Sequence, residues 1–330
     1  MGHKKTFSMI TGIGAAVPDK ILTNHDLANM VDTSDEWIRT RTGIRERHIA
    51  PEGTATSDYA APAAKLAMDQ AGLRPEEVDV IITATVTPDM YFPSAAVFVQ
   101  EKIGAVNAAA FDISAACTGW IYGLTLADSL IASGKYKNIL VVGAELLSRI
   151  TNWEDRATCV LFGDGAGAVV VQPSDGQHGI INTYIRSDGS LTPLLNMPGG
   201  GSLLPPYKAK EDPEPFFLKM EGREVFRHAV NNMGEAATLI IEENGFKGEE
   251  IDLFIPHQAN IRIIEAIAKR LDVPQESVFI NLDRYGNTSA ASIPIALWEA
   301  QQTGRLKEGT LTLVVAFGAG FTWGSALIQF

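Results

Sequence analysis

GLRPEEVDVIITA at residues 72–84 and GFKGEEIDLFIP at 245–256 read as one device used twice. Each begins with a glycine that closes a helical stretch, passes through a short acidic turn, and enters a run of apolar residues of strand length. Upstream of the first, residues 56–71 carry alanines and leucine at helical spacing, and residues 219–245 read as the matching helix upstream of the second. Downstream, KNILVVGAE at 137–145 and ATCVLFGDGAGAVVVQP at 157–173 read as strands, the latter broken by a glycine-rich bend. The closing block GRLKEGTLTLVVAFGAGFTWGSALIQF, from residue 304 to 330, echoes that pair as strand, glycine bend and strand. The order of elements therefore predicts an α/β chain made of two related halves, 1–175 and 176–330, with catalytic loops from both able to meet at a pseudo-twofold core. A proline- and glycine-rich insertion at 187–215 reads as surface loop.

Several further elements follow. FSMITGIGAAVP at 7–18 reads as a strand entering a glycine-bearing turn, and PSAAVFVQEKIG at 93–104 as a helix with Pro93 in its first turn. After a short strand in AAAFDISA, Gly119, Gly123 and Ala127 recur at four-residue spacing and make a narrow helix face suited to close packing, hence a buried central helix. Ile261, Ile264, Ala268 and Leu271 form the apolar face of a helix over 259–271.

At 330 residues the chain can bury roughly 75% of its unfolded surface. A 46% hydrophobic and 20% charged composition is that of a globular protein. Two cysteines, Cys117 and Cys159, argue against a disulfide framework, and the histidines are scattered, His257 having no neighbour at ligand spacing, so no metal site is expected. A net charge of −12 argues against nucleic-acid binding. No apolar run approaches the roughly 18 residues of a membrane span, and MGHKKTFSM lacks the apolar stretch of a secretory signal, which makes the cytoplasm the expected compartment. Against the acidic average, residues 37–48 gather Arg39, Arg41, Arg45 and Arg47, either as a solvated surface or as a receptor for phosphate.

Cys117, in FDISAACTGW at 111–120, lies where a strand gives way to a helix. It is either buried packing or a nucleophile whose thiolate is favoured by free N–H groups at the helix start. Cys159 fits the core. His257, in IPHQAN at 255–260, follows a buried strand; with Gln258 and Asn260 it reads either as a satisfied histidine or as the rim of a site. Asn287, between Gly286 and Thr288, is either a turn residue or a fixed, uncharged donor. GDGAG at 163–167 and FGAG at 317–320 do not open helices, so they are poor nucleotide fingerprints and read instead as tight turns bringing N–H groups to a reaction centre.

Taken in order, TSDEWIRTRTGIRERHIA (33–50), FPSAA (92–96), DISAACTGW (112–120), LFGDGAGA (161–168), PHQAN (256–260), LDRYGNTSAASIP (282–294) and FGAGFTWGSA (317–326) resemble the bacterial beta-ketoacyl-acyl-carrier-protein synthase III family of the thiolase-like superfamily, along essentially the whole chain. The resemblance implies a duplicated five-layered α/β/α/β/α fold and a homodimer. It implies decarboxylative condensation of a short acyl-CoA with malonyl-acyl carrier protein, without a cofactor, the malonyl group riding on phosphopantetheine. Cys117, His257 and Asn287 match the catalytic triad, and the backbone N–H groups of Cys117 and Ala319 match the oxyanion donors. Trp37, Arg41 and Arg156 match contacts to coenzyme A, and Phe92 matches a residue at the active-site entrance contributed across the dimer. Arg227, Arg262 and Lys269 match a basic patch for acyl carrier protein. Thiolases carry a second cysteine near the last glycine loop and elongating synthases a second histidine; FGAG and Asn287 stand in those places here. A papain-type hydrolase fits poorly, because Thr118 and Gly119 separate Cys117 from Trp120. An acyltransferase of specialised metabolism and a non-catalytic binding protein are the other readings.

Overall fold

Nine strands and seven helices position the site. In chain order the strands are β1 (Ser8–Ala16), β2 (Val80–Ala84), β3 (Ala109–Ile113), β4 (Ile139–Leu146), β5 (Asp164–Pro173), β6 (Gly179–Ser187), β7 (Leu253–Pro256), β8 (Leu311–Gly318) and β9 (Thr322–Gln329). The helices are α1 (Asp35–Thr42), α2 (Ser57–Ala71), α3 (Ala95–Ile103), α4 (Gly119–Ala132), α5 (Gly222–Glu243), α6 (Ile261–Arg270) and α7 (Ser292–Gln302). The computed structural model describes residues 7–174 and 176–330; residues 1–6, most of the stretch considered for a secretory signal, lie outside them.

The first sheet runs β1-β5-β4-β2-β3 and the second β6-β9-β8-β7. Their pairings match one for one: β2 is parallel to β4 as β7 is to β8, and β4–β5–β1 are antiparallel as β8–β9–β6 are. Even the extra strand has a remnant, since Phe254 of β7 makes a parallel bridge to Val278 where β2 pairs with β3. The quoted repeats explain the likeness. α2 ends at Gly72 with φ 63°, a left-handed cap that glycine adopts without a Cβ clash, and the turn Pro75–Glu77 leads into β2. After α5, the turn Gly248–Glu250 leads into β7 in the same way.

Strand alternation sorts the core into layers. Ile82, Val141, Val169 and Val171 face inward together with Ile255, Val314 and Ala326 of the second sheet, enclosing α4 and α7. Ile81, Leu140, Val142 and Val170 face out onto α2 and α3. Phe254, Leu313, Val315 and Leu327 face out onto α5 and α6. The result is helix, sheet, helix, sheet, helix. Gly119 and Gly123 of α4 do lie on a close-packed face, but against Ala84 and Val141 of strands.

Three expectations need correction. The glycines of 10–18 and 163–167 are not in turns: Gly12, Gly14, Gly165 and Gly167 lie inside β1 and β5, where helices press against the strand backbone. A Cβ on Gly167 would sit 2.7 Å from the Ile295 amide of α7. Residues 157–162 are not strand, because Asp155 caps a helical turn over Arg156–Cys159 by accepting the Ala157 N–H. The 187–215 insertion is exposed at its tip, yet Leu195–Asn196 pairs with Lys219–Met220, and Leu195, Asn196 and Met197 line the cavity described next.

Candidate active site

Cys117 sits in the turn Ala116–Thr118 between β3 and α4. The β8–β9 hairpin of the other half holds this turn. Thr322 Oγ1 donates to Ala115 O at 2.9 Å, and Thr118 Oγ1 donates to Thr322 O at 3.1 Å. Gly318 lies so near that a Cβ there would stand 2.7 Å from the Cys117 amide nitrogen. Among the described residues, the Cys117 and Ala319 amides donate to no backbone carbonyl. Burial pushes the Cys117 thiol up to about 12, and the Glu145 carboxyl adds to the rise, while the Ser289 hydroxyl lowers it. The resting sulfur is therefore a thiol, not the thiolate that the helix start alone suggests. Desolvation outweighs the helix terminus.

His257 directly follows β7, and its amide donates to Val315 O at 2.8 Å. Its ring is buried, which lowers its pKa to about 3 and keeps it neutral. Nδ1 lies 2.6 Å from Ser292 Oγ at the start of α7. Asn287 is held from both sides: its N–H donates to Leu161 O at 2.9 Å and its carbonyl accepts from Gly163 N at 3.0 Å. The GDGAG segment thus anchors Asn287's backbone instead of supplying donors to the reaction centre. Ser289 N donates to Asn287 Oδ1 at 2.9 Å, which leaves the Nδ2 amide available to the cavity. Gln258 is structural: its amide bonds Pro256 O and Phe279 O, and its oxygen accepts from Asn281 and Leu282. Asn260 caps α6 and also lines the cavity.

A cavity of about 390 Å³ joins these groups. Cys117, Ser289, His257, Asn287 and Ala319 line it, together with apolar side chains such as Leu218, Phe226 and Ile263. Its lining is mostly apolar, and Cys117 shares it with Ser289, His257 and Asn287. Three functional candidates escaped the sequence: Ser289, Ser292 and the fully buried Glu145. Only the position of Ser289 and Ser292 within the NTSAAS string hinted at them.

The other nominated residues fall outside this cluster. Arg41 and Arg156 both lie over the Trp37 ring, 4.9 Å and 5.1 Å from its centroid. Arg156 also donates to Asp32 O at 2.8 Å. Arg47, grouped above with possible phosphate ligands, is fully buried and bonds Leu22 O, Asn24 Oδ1 and Val160 O, so it braces the core. Arg227 pairs with Glu224 at 2.7 Å, and Arg262 lies 5.8 Å from the ring centroid of the cavity-lining Phe226. Lys269 is exposed on the same helix as Arg262. Phe92 is 78% exposed and does not line the cavity of its own chain. Among the described residues no cluster of three metal-ligating side chains occurs.

Comparison with known proteins agrees in family. A family model described as 3-oxoacyl-[acyl-carrier-protein] synthase III matches residues 111–189, and one for the C-terminal part of such enzymes matches 241–330. A beta-ketoacyl-[acyl-carrier-protein] synthase III of Caldanaerobacter subterraneus is 54% identical over 99% of this chain and 98% of its own. The solved 3-oxoacyl-[acyl-carrier-protein] synthase III of Aquifex aeolicus is 51% identical, covers 98% of this chain and 100% of that one, and superposes with a TM-score of 0.91. The priming beta-ketosynthase of the R1128 polyketide pathway is 35% identical with the same TM-score, covering 100% of this chain and 98% of that one.

Proposed function

The chain belongs to the beta-ketoacyl-[acyl-carrier-protein] synthase III family, and from that premise we propose that Cys117, His257 and Asn287 carry its reaction. The enzyme condenses an acyl-CoA with malonyl-acyl carrier protein and so initiates fatty-acid synthesis. The observation that carries the residue assignment is the convergence of all three side chains and Ala319 on one apolar channel.

In the first stage the Cys117 sulfur attacks the acyl-CoA thioester, expels CoA and keeps the acyl group. The oxyanion forms against the free amides of Cys117 and Ala319, donors each worth roughly 3–4 kcal/mol in a comparable site. In the second stage malonyl-acyl carrier protein loses carbon dioxide and the resulting carbanion attacks the acyl-cysteine. Its thioester oxygen takes charge as carbon dioxide leaves, and two neutral donors suit it: Asn287 Nδ2, already turned outward by the Ser289 bond, and His257 Nε2–H. Ser292, donating its hydroxyl proton to Nδ1, selects that tautomer. The thioester supplies the acyl group and decarboxylation the carbanion, so no cofactor is required.

Phosphopantetheine is long and thin, which suits a channel with its chemistry at the foot and its charged groups outside. Trp37 with Arg41 and Arg156 offers a ring for the adenine and cations for the phosphates of CoA. Arg262 and Lys269, with Arg227, offer the acidic carrier protein a basic face. A homodimer fits the exposed edge strand β3 with Phe111, beside the exposed Met90, Tyr91 and Phe92; in that assembly Phe92 reaches the partner's channel. A short primer and a cytoplasmic location belong to the same reading.

The test is to incubate the protein with labelled acyl-CoA primers and malonyl-acyl carrier protein. Label on Cys117 that Cys117→Ala abolishes, carbon dioxide release and a beta-ketoacyl product are expected. Turnover without label on Cys117 sinks the assignment.

A further inference from the structure

We propose that the proton of the Cys117 thiol leaves through the Ser289 hydroxyl to Glu145 as the sulfur attacks acyl-CoA, a role that rests on the acyl-cysteine reading above. The need arises from the site itself. The resting sulfur is protonated, and in the tautomer assigned to His257 above, with Nδ1 facing Ser292 and the proton on Nε2, the ring offers the cavity no lone pair to receive it.

The geometry supplies another path. Ser289 lines the cavity with Cys117, and its hydroxyl lowers the pKa of the thiol. Ser289 Oγ also donates to Glu145 Oε1 at 3.1 Å. The direction is set by the surroundings of Glu145. Thr87 Oγ1 accepts the Leu146 N–H at 2.9 Å and so must give its own proton to Glu145 Oε2, at 2.7 Å. The Val86 N–H points at both carboxyl oxygens, at 3.2 and 3.1 Å, and Thr85 Oγ1 lies 3.3 Å from Oε2. Glu145 is thus cradled as an acceptor, with Ser289 as its link toward the cavity. Gly143 makes this possible: a Cβ there would meet Ala290 O at 2.2 Å, so only glycine lets the Ser289 turn lie on β4 over Glu145.

A wholly buried carboxyl is costly, and a glutamine could accept most of these bonds without charge. What glutamine lacks is a site for the proton. Burial raises Glu145 to about 7 against its four kinds of donor, which lets it exchange protons near neutrality. Cys117 and the neutral His257 are the titratable groups lining the cavity onto which Ser289 opens. Asp164 on the adjacent strand pairs with Leu146, faces the other side of the sheet, and is held by Ala50 and Ser148. The step balances: the S–C bond forms as the thiol proton passes to Ser289 and the serine proton to the Glu145 carboxylate. When the tetrahedral adduct collapses and the CoA sulfur departs, the proton returns along the same path to that sulfur, and Glu145 is again a carboxylate. Ser289 shares the cavity wall with the reacting sulfur; Glu145 acts through it.

The experiment is single-turnover acylation of the full-length enzyme by acyl-CoA without malonyl-acyl carrier protein, followed as CoA release from about pH 5.5 to 9. The wild-type rate is expected to rise through an apparent pKa near 7. Glu145→Gln is expected to be about 100-fold slower and to lose that rise, while Glu145→Asp keeps a titration with a smaller loss. Ser289→Ala should lose as much as Glu145→Gln, and the double variant no more than either. An E145Q rate within about threefold of wild type, a retained rise, or losses that multiply in the double variant overturn the relay. Independently of any variant, the wild-type step should slow in heavy water with a bowed proton inventory, and the absence of a solvent isotope effect overturns the relay too. A wild-type enzyme that takes no acyl label on Cys117 overturns instead the acyl-cysteine reading on which the relay stands.

Discussion

Gly318→Ala tests the oxyanion assignment without touching a reacting side chain. The new Cβ would stand 2.7 Å from Cys117 N, 3.1 Å from Thr118 N and 3.2 Å from Ala115 O. Ordinary contact begins near 3.4 Å, so the cysteine turn and the hairpin must separate by about 0.7 Å at the closest pair. All three atoms are backbone, and Thr322 ties the two segments together through Ala115 O and Thr118, so no flexible side chain can absorb the shift. The Cys117 and Ala319 amides flank that contact. Pushing them apart spoils their shared aim at one oxygen, and a misplacement approaching 1 Å is worth about 100-fold, or about 2.7 kcal/mol. Acylation by acyl-CoA, measured as the single-turnover burst of CoA, is expected to fall by that factor. Gly189→Ala is the comparison, since a Cβ at that position meets nothing within 4 Å. It should leave the burst unchanged. Overpacking is also expected to lower the denaturation midpoint of G318A, at a cost of about 1–3 kcal/mol. A G318A burst equal to that of wild type, in a protein whose midpoint has dropped, would refute the reasoning, because the strain would be present and the amides would not matter.

Asn287→Asp keeps the oxygen that accepts Ser289 N–H but replaces the outward amide donor with a carboxylate oxygen, so carbon dioxide release should fall by about 10²–10³ while acylation changes by less than about tenfold. Equal losses in the two assays sink the donor role. Trp37→Ala and Arg156→Ala should each raise the KM for acyl-CoA by about 2- to 30-fold at little cost in kcat, the worth of a cation–π contact, and an unchanged KM moves the nucleotide elsewhere. Stability against pH separates two buried groups. Glu145, raised from 4.5 to about 7, contributes fully below pH 4.5 and loses its contribution as pH rises through 7. His257, lowered from 6.5 to about 3, contributes fully above pH 6.5 and loses its contribution as pH falls through 3. The slopes oppose each other, so denaturant stability of the wild type should be nearly flat between about pH 4.5 and 6.5, and that of E145Q should climb with pH across the same window. A wild-type curve that climbs as steeply as that of E145Q contradicts the buried-acid assignment, and a flat E145Q curve contradicts that of His257.

What could be read from sequence divides along the range of the interaction that decides each feature. The paired glycine-capped helices and acidic turns leading into β2 and β7 depend on neighbours a few residues away, so the duplication shows in the letters. The strand-to-helix junction at Cys117 is local in the same sense. Glycine is the ambiguous case. The residue that permits a turn also permits a helix to lie against a strand, and Gly12, Gly14, Gly165 and Gly167 serve the second purpose because α2 and α7 arrive from elsewhere in the chain. Arg41 and Arg47 sit in one basic run, yet one lies over an indole and the other is buried. Their difference comes from the pairing of 46–48 with 21–23, which turns Arg47 toward Asn24 and Val160. Glu145 is the extreme example: it closes a strand and its partners come from Thr85, Thr87 and, 144 positions onward, Ser289. A nucleophile is announced by the junction that presents it, whereas a group proposed to receive its proton must be buried to hold the right pKa. Burial of that kind is built by both halves at once, which is why no local pattern in either half marks it.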